Sequence, residues 1–263
     1  MAVSGSKDRL IIIKTGDTFG EISDVHGDFE QWIQDRLGAP DQINPLRIVV
    51  IDPRANEPLP EPEDILAAVI TGSHAMVTEN TPWMEAVSHW IRRSHQQKCP
   101  LLGICFGHQL IAQALGGEVA AHPNGAEVGT IKVVLQPEAY VDPLFSRLPP
   151  VFNAQSVHWQ SVRRLPVGAH LLASSSFEAH HGFRLGECTW GVQFHPEFTP
   201  AVMGGYIEAS YKELEEQGKE PERLISHIQP TPFAHQLLQD FVAYARYILA
   251  SPTVNAKTGT AAV

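Results

Sequence analysis

The stretch "PLLGICFGHQLIAQALGG", from Pro100 to Gly117, joins a short apolar run to an amphipathic helical pattern. The apolar run predicts a buried strand, and the turn between strand and helix carries Cys105. Gly103 and Gly107 stand two residues before and after the cysteine, as in a nucleophile elbow, where the backbone folds back tightly. The pattern predicts a strained, reactive cysteine above the sheet. The alternative is an inert buried thiol, a common state of this residue.

The predicted helix begins directly after Cys105, so its free N–H groups and its dipole favour the thiolate. The N–H of Phe106 is placed to stabilise an oxyanion. Cys99 and Cys188 lack the paired glycines, and we expect both to pack in the core. Three cysteines without a Cys-x-x-Cys pair do not indicate a disulfide framework.

Apolar runs and helical patterns alternate through the first half of the chain. The predicted strands are Arg9–Gly16, Leu46–Asp52, Asp64–Ser73 and Pro100–Cys105, and the predicted helices are Phe29–Gly38, Thr81–Lys98 and Gly107–Gly117. Continuous apolar strands separated by helices predict an α/β fold with a mostly parallel central sheet and helices on both faces. In such sheets the chemistry lies at the carboxyl edge of the strands.

After Gly117 the runs become shorter and are separated by turns, which predicts a small antiparallel addition. Two helices, at about 200–217 and 232–249, follow it. We therefore expect a single domain over residues 1–250. The small, polar residues 251–263 are expected to form a disordered tail.

The charge and hydropathy of the sequence limit the kinds of molecule that we expect this protein to bind. The 263 residues carry 19 basic and 29 acidic side chains, a formal net charge of -10, and no basic stripe. This argues against nucleic acid or an anionic membrane as the main partner. The apolar runs are too short to span a bilayer, and the first residues do not resemble a signal peptide, so we expect a cytoplasmic protein. The 13 histidines are scattered, and no metal site is expected.

The segment "WGVQFHPEF", Trp190–Phe198, contains a candidate general base for Cys105 and a candidate carboxylate that would orient this base. His195 lies near the end of a predicted strand, and Glu197 is two residues later, on the same side of an extended chain. Pro196 cannot donate to a ladder, so the chain must leave the sheet there. His195 would accept the proton of Cys105, and Glu197 would hold the imidazole. Taken alone, the His-Pro-Glu sequence is also compatible with an ordinary turn.

A second oxyanion donor is predicted in "ITGSHA", Ile70–Ala75. This segment leaves a buried strand through Gly72, where a missing side chain lets the backbone approach a ligand. The N–H of Gly72, or that of Ser73, is the candidate donor. A plain strand-exit turn is the alternative.

These motifs together resemble the class I glutamine amidotransferase family. In that family Gly-x-Cys-x-Gly-x-Gln carries the nucleophile and His-Pro-Glu the other triad members, which here read "GICFGHQ" (Gly103–Gln109) and "FHPE" (Phe194–Glu197). "SVHW", Ser156–Trp159, is similar to the segment that lines the substrate pocket. The chain is most similar to free-standing, GMP-synthase-like members.

The resemblance implies a flavodoxin-like fold and hydrolysis of the glutamine side-chain amide through a γ-glutamyl thioester, with release of glutamate and ammonia. It implies the triad Cys105, His195 and Glu197, and an oxyanion hole from Gly72 and Phe106. The residues implied as glutamine contacts are Ser73, Gln109, Ser156, Val157 and His158. It implies no metal or organic cofactor for this half-reaction.

The oxyanion loop departs from the family pattern, because the frequent Gly-Gly-Pro is replaced by Thr71-Gly72-Ser73-His74. After Phe198 only two helices and a tail are predicted, so the partner implied is a separate synthase subunit. L-Glutamine and other γ-glutamyl compounds both remain as substrates, because the same triad serves a γ-glutamyl peptidase or hydrolase. A non-catalytic module on this fold is a further alternative. An esterase-like α/β hydrolase is disfavoured, because its acid precedes its histidine.

Overall fold

A computed structural model of the chain describes residues 7–37 and 46–251. Its strands are β1 (Arg9–Ile13), β2 (Arg47–Ile51), β3 (Ala67–Ile70), β4 (Leu101–Ile104), β5 (Glu118–Ala121), β6 (Glu127–Leu135), β7 (Val151–His158), β8 (Gln160–Arg164), β9 (His170–Ser174), β10 (Gly182–Leu185) and β11 (Thr189–Val192). Its α-helices are α1 (Gly20–His26), α2 (Phe29–Arg36), α3 (Pro82–Gln96), α4 (Phe106–Ala114), α5 (Pro200–Ala209), α6 (Tyr211–Glu216), α7 (Pro221–Ser226) and α8 (Pro232–Ala250).

One nine-stranded sheet organises the molecule, in the order β2-β1-β3-β4-β11-β10-β9-β6-β7. Strands β2, β1, β3, β4 and β11 pair in parallel, and β10, β9, β6 and β7 continue the sheet with antiparallel pairings. Strands β5 and β8 form a separate two-stranded ladder. The predicted α/β class is confirmed, and the strands of the predicted antiparallel addition join the main sheet as β10, β9, β6 and β7.

The inner parallel strands β1, β3, β4 and β11 are buried on both faces, whereas the edge strand β2 is partly exposed. In β1, Leu10 and Ile12 belong to the core cluster that includes α8, whereas Ile11 and Ile13 belong to the cluster that includes α3 and α4. All four side chains are buried. Full burial of such a side chain contributes about 1.5–3 kcal/mol. This two-sided burial explains why β1 has a continuous apolar run instead of an alternating pattern.

The sequence did not predict every helix correctly. The single helix expected over 200–217 is wrong, because the chain leaves helical geometry at Ser210 and forms α5 and α6. Helices α1 and α7 were not predicted, because they have seven and six residues and bury one residue each, Ile22 and Pro221. Helix α2 ends at Arg36, and the predicted capping residue Gly38 lies outside the described residues, as do residues 252–263 of the expected tail.

The carboxyl ends of the central parallel strands meet at one place. Ile70 at the end of β3 pairs with Gly103 in β4, and Val192 at the end of β11 pairs with Ile104. Beyond β11, His195 forms an isolated antiparallel bridge with Gln155 of β7. The segments that follow β3, β4 and β11 therefore converge beside β7. Within the described ranges, no helix is long and apolar enough to cross a membrane.

Candidate active site

The turn between β4 and α4 is a strained elbow. Cys105 has φ 50° and ψ -99°, a conformation that costs a non-glycine residue about 1–3 kcal/mol. A Cβ on Gly103 would lie 2.4 Å from the backbone of Gly107, and a Cβ on Gly107 would lie 2.4 Å from the carbonyl oxygen of Ile70. Both positions exclude every residue except glycine. The predicted close approach of the backbone around the cysteine is confirmed.

The three free cysteines differ in their surroundings. Cys105 lines a pocket at the sheet edge, and its Sγ lies 3.6 Å from the carbonyl oxygen of Val157. Cys99 and Cys188 are buried, and burial raises the pKa of each thiol to about 12. These two thiols are therefore protonated and unreactive near neutral pH.

His195 and Glu197 form a buried pair beside the same pocket. The Nδ1 of His195 lies 2.7 Å from Glu197 Oε1, and this carboxylate fixes the tautomer with the proton on Nδ1. The chain is held at this point because the N–H of His195 donates to the carbonyl of Gln155. The ring of Phe198 stacks on the imidazole with centroids 4.0 Å apart. The imidazole thus has one orientation, with Nε2 as its remaining nitrogen.

The Nε2 of His195 has no hydrogen-bond partner among the described residues. Burial lowers the pKa of His195, but the charges of Glu197 and Cys105 raise it, and the pKa reaches about 10. The site therefore favours a protonated imidazole beside Cys105. A protonated imidazole next to a thiol can donate a proton to a leaving group.

The loop after β3 packs directly against the imidazole. A Cβ on Gly72 would lie 3.1 Å from His195 Cε1 and 3.1 Å from Phe29 Cε1, so a side chain would displace one of these rings. Neither Gly72 nor Phe106 has its backbone N–H engaged by another described residue. The hydroxyl of Ser73, which lines the pocket, accepts from the N–H of Ala75 and tightens the turn.

Two side chains outside the loop hold it in place. The side-chain hydroxyl of Thr15, after β1, donates to the carbonyl oxygen of Thr71 at 3.0 Å. On the other side of the loop, His74 Nε2 lies 3.2 Å from the hydroxyl of Tyr206 in α5. The Tyr206 hydroxyl in turn accepts a hydrogen bond from the hydroxyl of Thr18 at 2.9 Å. The loop is thus fixed to β1 and to α5. No sequence pattern pointed to Tyr206, because it is far from every motif in the chain.

The structure brings most predicted contact residues to the pocket. Gln109, Val157 and His158 line it together with Cys105. The side-chain amide of Gln109 already donates to the carbonyl of Gln160 at 2.8 Å and to Gln193 Oε1 at 2.9 Å. Through these two hydrogen bonds, Gln109 links helix α4 to Gln160 in β8 and to Gln193 after β11.

Ser156 is not brought to the pocket surface. Its side chain is fully buried, and its hydroxyl donates to Glu127 Oε2 at 3.0 Å. Side chains alternate along a strand, so Ser156 faces the same side as His158, whose Nε2 also lies near Glu127 Oε2.

Glu127, His158 and His181 form a second buried cluster behind the pocket wall. Their ligand atoms lie within 4.8 Å of one another. Burial raises the pKa of Glu127, but hydrogen bonds and charges of the two histidines lower it more, so it ends below its ordinary value. No motif in the sequence predicted this cluster, because its members come from β6, β7 and the turn before β10 and share no local spacing.

The chain matches a known protein family and several known proteins. The family model "Glutamine amidotransferase class-I" matches residues 22–212. The chain is 35% identical over 133 residues to a glutamine-hydrolysing GMP synthase subunit of Methanocaldococcus jannaschii. This match covers 50% of this chain and 69% of the relative. It is also 31% identical over 159 residues to "Gamma-glutamyl peptidase 4" of Arabidopsis thaliana. That match covers 55% of this chain and 62% of the relative.

Among solved structures, the chain is similar to a glutamine amidotransferase from Thermotoga maritima. The TM-score is 0.70 and the identity 23%, with 93% of this chain and 99% of that chain covered. A glutamine amidotransferase from Methylobacillus flagellatus gives a TM-score of 0.64 at 22% identity, with 93% of this chain and 94% of that chain covered. These likenesses confirm the flavodoxin-like fold predicted from the sequence.

Proposed function

Because the chain belongs to the class-I glutamine amidotransferase family, we propose that it hydrolyses the side-chain amide of glutamine through a thioester on Cys105. The observation that carries this proposal is the buried His195–Glu197 pair, with 2.7 Å between Nδ1 and Oε1, beside the strained cysteine of the same pocket. This arrangement supplies a nucleophile, a proton carrier and an orienting carboxylate.

In the first half of the reaction the thiolate of Cys105 attacks the side-chain amide carbon of glutamine. A carbon–sulfur bond forms, and the carbonyl electron pair moves to oxygen, which accepts hydrogen bonds from the N–H groups of Phe106 and Gly72. The Nε2–H of His195 then protonates the amide nitrogen. The carbon–nitrogen bond breaks, and ammonia leaves.

In the second half a water molecule attacks the thioester while His195 Nε2, now neutral, accepts a proton from it. The carbon–sulfur bond breaks, glutamate leaves, and the sulfur again carries the electron pair of a thiolate. Glu197 keeps Nδ1 protonated throughout and stabilises the imidazolium when it forms. His195 therefore acts as an acid in the first half and as a base in the second, while Cys105 is first the nucleophile and then the leaving group.

The oxyanion hole is proposed to form without a partner protein, although Thr71-Gly72-Ser73-His74 departs from the usual Gly-Gly-Pro. Support comes from the contacts of Thr15 and Tyr206 that hold the loop at both ends. The hydroxyl of Thr15 also donates to the carbonyl oxygen of Gly72 at 3.1 Å, which supports a loop that keeps its conformation when substrate binds.

The ammonia acceptor is proposed to lie on a separate synthase subunit. The relative from Methanocaldococcus jannaschii is named as one subunit of a glutamine-hydrolysing GMP synthase. Such an arrangement would take up ammonia released beside Cys105.

A second candidate function is hydrolysis of γ-glutamyl peptides. The pocket is lined by the partly exposed side chains of Phe19, Met76 and Trp159, which offer a surface for a leaving group larger than ammonia. The buried indole N–H of Trp159 has no partner among the described residues and can donate to a peptide carbonyl. The match to a γ-glutamyl peptidase supports the same candidate.

The proposal is tested by measuring glutamate and ammonia release from L-glutamine by the wild-type protein and by Cys105→Ser. We expect release that the variant loses. Comparing kcat/KM for glutamine with that for γ-glutamyl dipeptides then separates the two candidates. Trp159→Phe should lower kcat/KM for the dipeptides alone if the peptidase candidate is correct.

A further inference from the structure

We propose that Glu127, His158 and His181 form a divalent metal site of the zinc type behind the pocket wall. The carboxylate oxygen Oε2 of Glu127 lies 3.1 Å from His158 Nε2 and 2.9 Å from His181 Nε2. Two ligand atoms on a tetrahedral zinc ion stand about 3.3 Å apart, given metal–ligand bonds of about 2.0–2.2 Å. The two distances to Glu127 differ from this spacing by only a few tenths of an ångström, and all three ligand atoms lie within 4.8 Å of one another.

Hydrogen bonds outside the cluster already orient two of the ligands. His158 Nδ1 lies 2.9 Å from the carbonyl oxygen of Gln160, which places a proton on Nδ1 and a lone pair on Nε2. The other oxygen of Glu127, Oε1, accepts from the hydroxyl of Ser175 at 3.0 Å. An imidazole that donates its distal N–H to a backbone carbonyl is the usual arrangement of a metal-bound histidine.

The buried charges call for a dication. Glu127 and Glu178 are both buried, and the Glu178 carboxylate accepts from the N–H of His180, the residue before His181. Within the described ranges neither carboxylate forms an ion pair with Lys or Arg. Two imidazoles share the Glu127 carboxylate, and one divalent cation among the three ligand atoms would balance its buried charge.

The surroundings of His181 also support an ion at this place. Its side chain is fully buried, and neither ring nitrogen has a partner in hydrogen-bond geometry among the described residues, although Nε2 lies 2.9 Å from Glu127 Oε2. A protonated imidazole would need an acceptor for each of its two N–H groups, and Nδ1 has none within the described part of the chain. A neutral imidazole that directs its Nε2 lone pair to a shared ion needs only one metal bond there.

The site would tie together β6, β7 and the turn before β10. His158 also lines the pocket, so the ion would hold the wall opposite Cys105 in place without contacting the reacting atoms. Its role is structural, and imidazole with carboxylate is a ligand set suited to Zn²⁺.

The experiment measures zinc in the full-length chain carrying Cys105→Ser, so that the reactive thiol cannot bind zinc with His195. The protein is equilibrated with excess Zn²⁺, dialysed against metal-free buffer and analysed by inductively coupled plasma mass spectrometry. We expect one zinc ion per chain. We also expect Zn²⁺ to raise the melting temperature.

His181→Ala and the near-isosteric Glu127→Gln, made in the same background, should weaken Zn²⁺ binding by at least about tenfold. Both variants should also lose the zinc-dependent rise in melting temperature. His180→Ala is the matched control, because the neighbouring His180 directs its Nδ1 to the carbonyl of Val162 and lies outside the cluster. Circular dichroism checks that each variant is folded. If His181→Ala does not fold, the comparison of the parent with Glu127→Gln carries the test. A parent protein that retains no zinc, or variants that bind it as tightly as the parent, would overturn the proposal.

Discussion

The carboxylate of Glu197 lies 2.7 Å from Nδ1 of His195, and both side chains are buried at the carboxyl edge of the sheet. Because Glu197 and Cys105 outweigh the effect of burial, the pKa of His195 is raised to about 10. In the proposed mechanism this imidazolium protonates the leaving nitrogen, so it should persist through neutral pH and be lost as the pH rises past this value.

Glu197→Gln removes the carboxylate that raises the pKa of His195. We expect kcat to fall by about 10²–10⁴, because the imidazole loses its orientation and its charge partner. The alkaline limb of the pH–rate profile should move to lower pH, because the imidazolium now titrates earlier. Steady-state rates of glutamine hydrolysis between neutral pH and the alkaline limit check this. An unchanged alkaline limb would exclude Glu197 as the partner of His195.

Gly72→Ala tests the contact between the oxyanion loop and the imidazole. The new Cβ would lie 3.1 Å from His195 Cε1, so we expect kcat to fall by about 10² or more as the ring or the loop shifts. Gly20→Ala is the matched control, because a Cβ there meets nothing within 4 Å. Equal rates for both variants would show that the loop does not act through His195.

Tyr206→Phe removes the hydroxyl that links His74 to α5. The loop should become less ordered, and we expect kcat for glutamine to fall by about tenfold, less than the loss of an oxyanion donor itself. Tyr247→Phe, at a residue 70% exposed on α8, should leave the rate unchanged. A Tyr206→Phe enzyme with the wild-type kcat would show that this link does not position the loop.

Gly107→Ala tests the packing of the elbow. Its Cβ would lie 2.4 Å from the carbonyl oxygen of Ile70, so the chain must shift, and we expect a loss of several kcal/mol in the free energy of unfolding. Gly204→Ala in α5 places a Cβ 3.8 Å from Ile228 and should be neutral or stabilising by up to about 1 kcal/mol. Urea unfolding compares the stability of the two variants. Equal midpoints for Gly107→Ala and Gly204→Ala would contradict the close approach of Gly107 to the carbonyl oxygen of Ile70.

Alkylation should select among the cysteines. Burial raises the pKa of Cys99 and Cys188 to about 12, so only about 1 in 10⁵ of these thiols is ionised at neutral pH. We expect a small alkylating agent to modify Cys105 first in the folded protein. Peptide mapping by mass spectrometry checks this order, and faster modification of Cys99 or Cys188 would contradict it.

The sequence predicted features that depend on neighbouring residues. Gly103 and Gly107 around Cys105 define an elbow within five residues, and His195 with Glu197 define a pair within three, so local pattern was enough. The strands of the parallel half were recognisable for a similar reason, because burial on both faces leaves a continuous apolar run.

Features that depend on distant pairing were not predictable. Tyr206 meets His74 only because α5 packs beside the loop, and Glu127 meets His181 only because the fold brings the start of β6 close to the turn before β10. The orientation of Ser156 depends on which face of β7 is turned to the pocket, and a one-residue change of register would reverse it.

The most direct test of the proposed mechanism is to trap the intermediate. Wild-type protein mixed with L-glutamine is quenched in acid, and the peptide containing Cys105 is studied by mass spectrometry. We predict a mass increase of one glutamyl residue on Cys105, absent when glutamine is omitted and absent from Cys105→Ser. Glutamine hydrolysis that proceeds with no acylated Cys105, or that survives in Cys105→Ser, would contradict the mechanism.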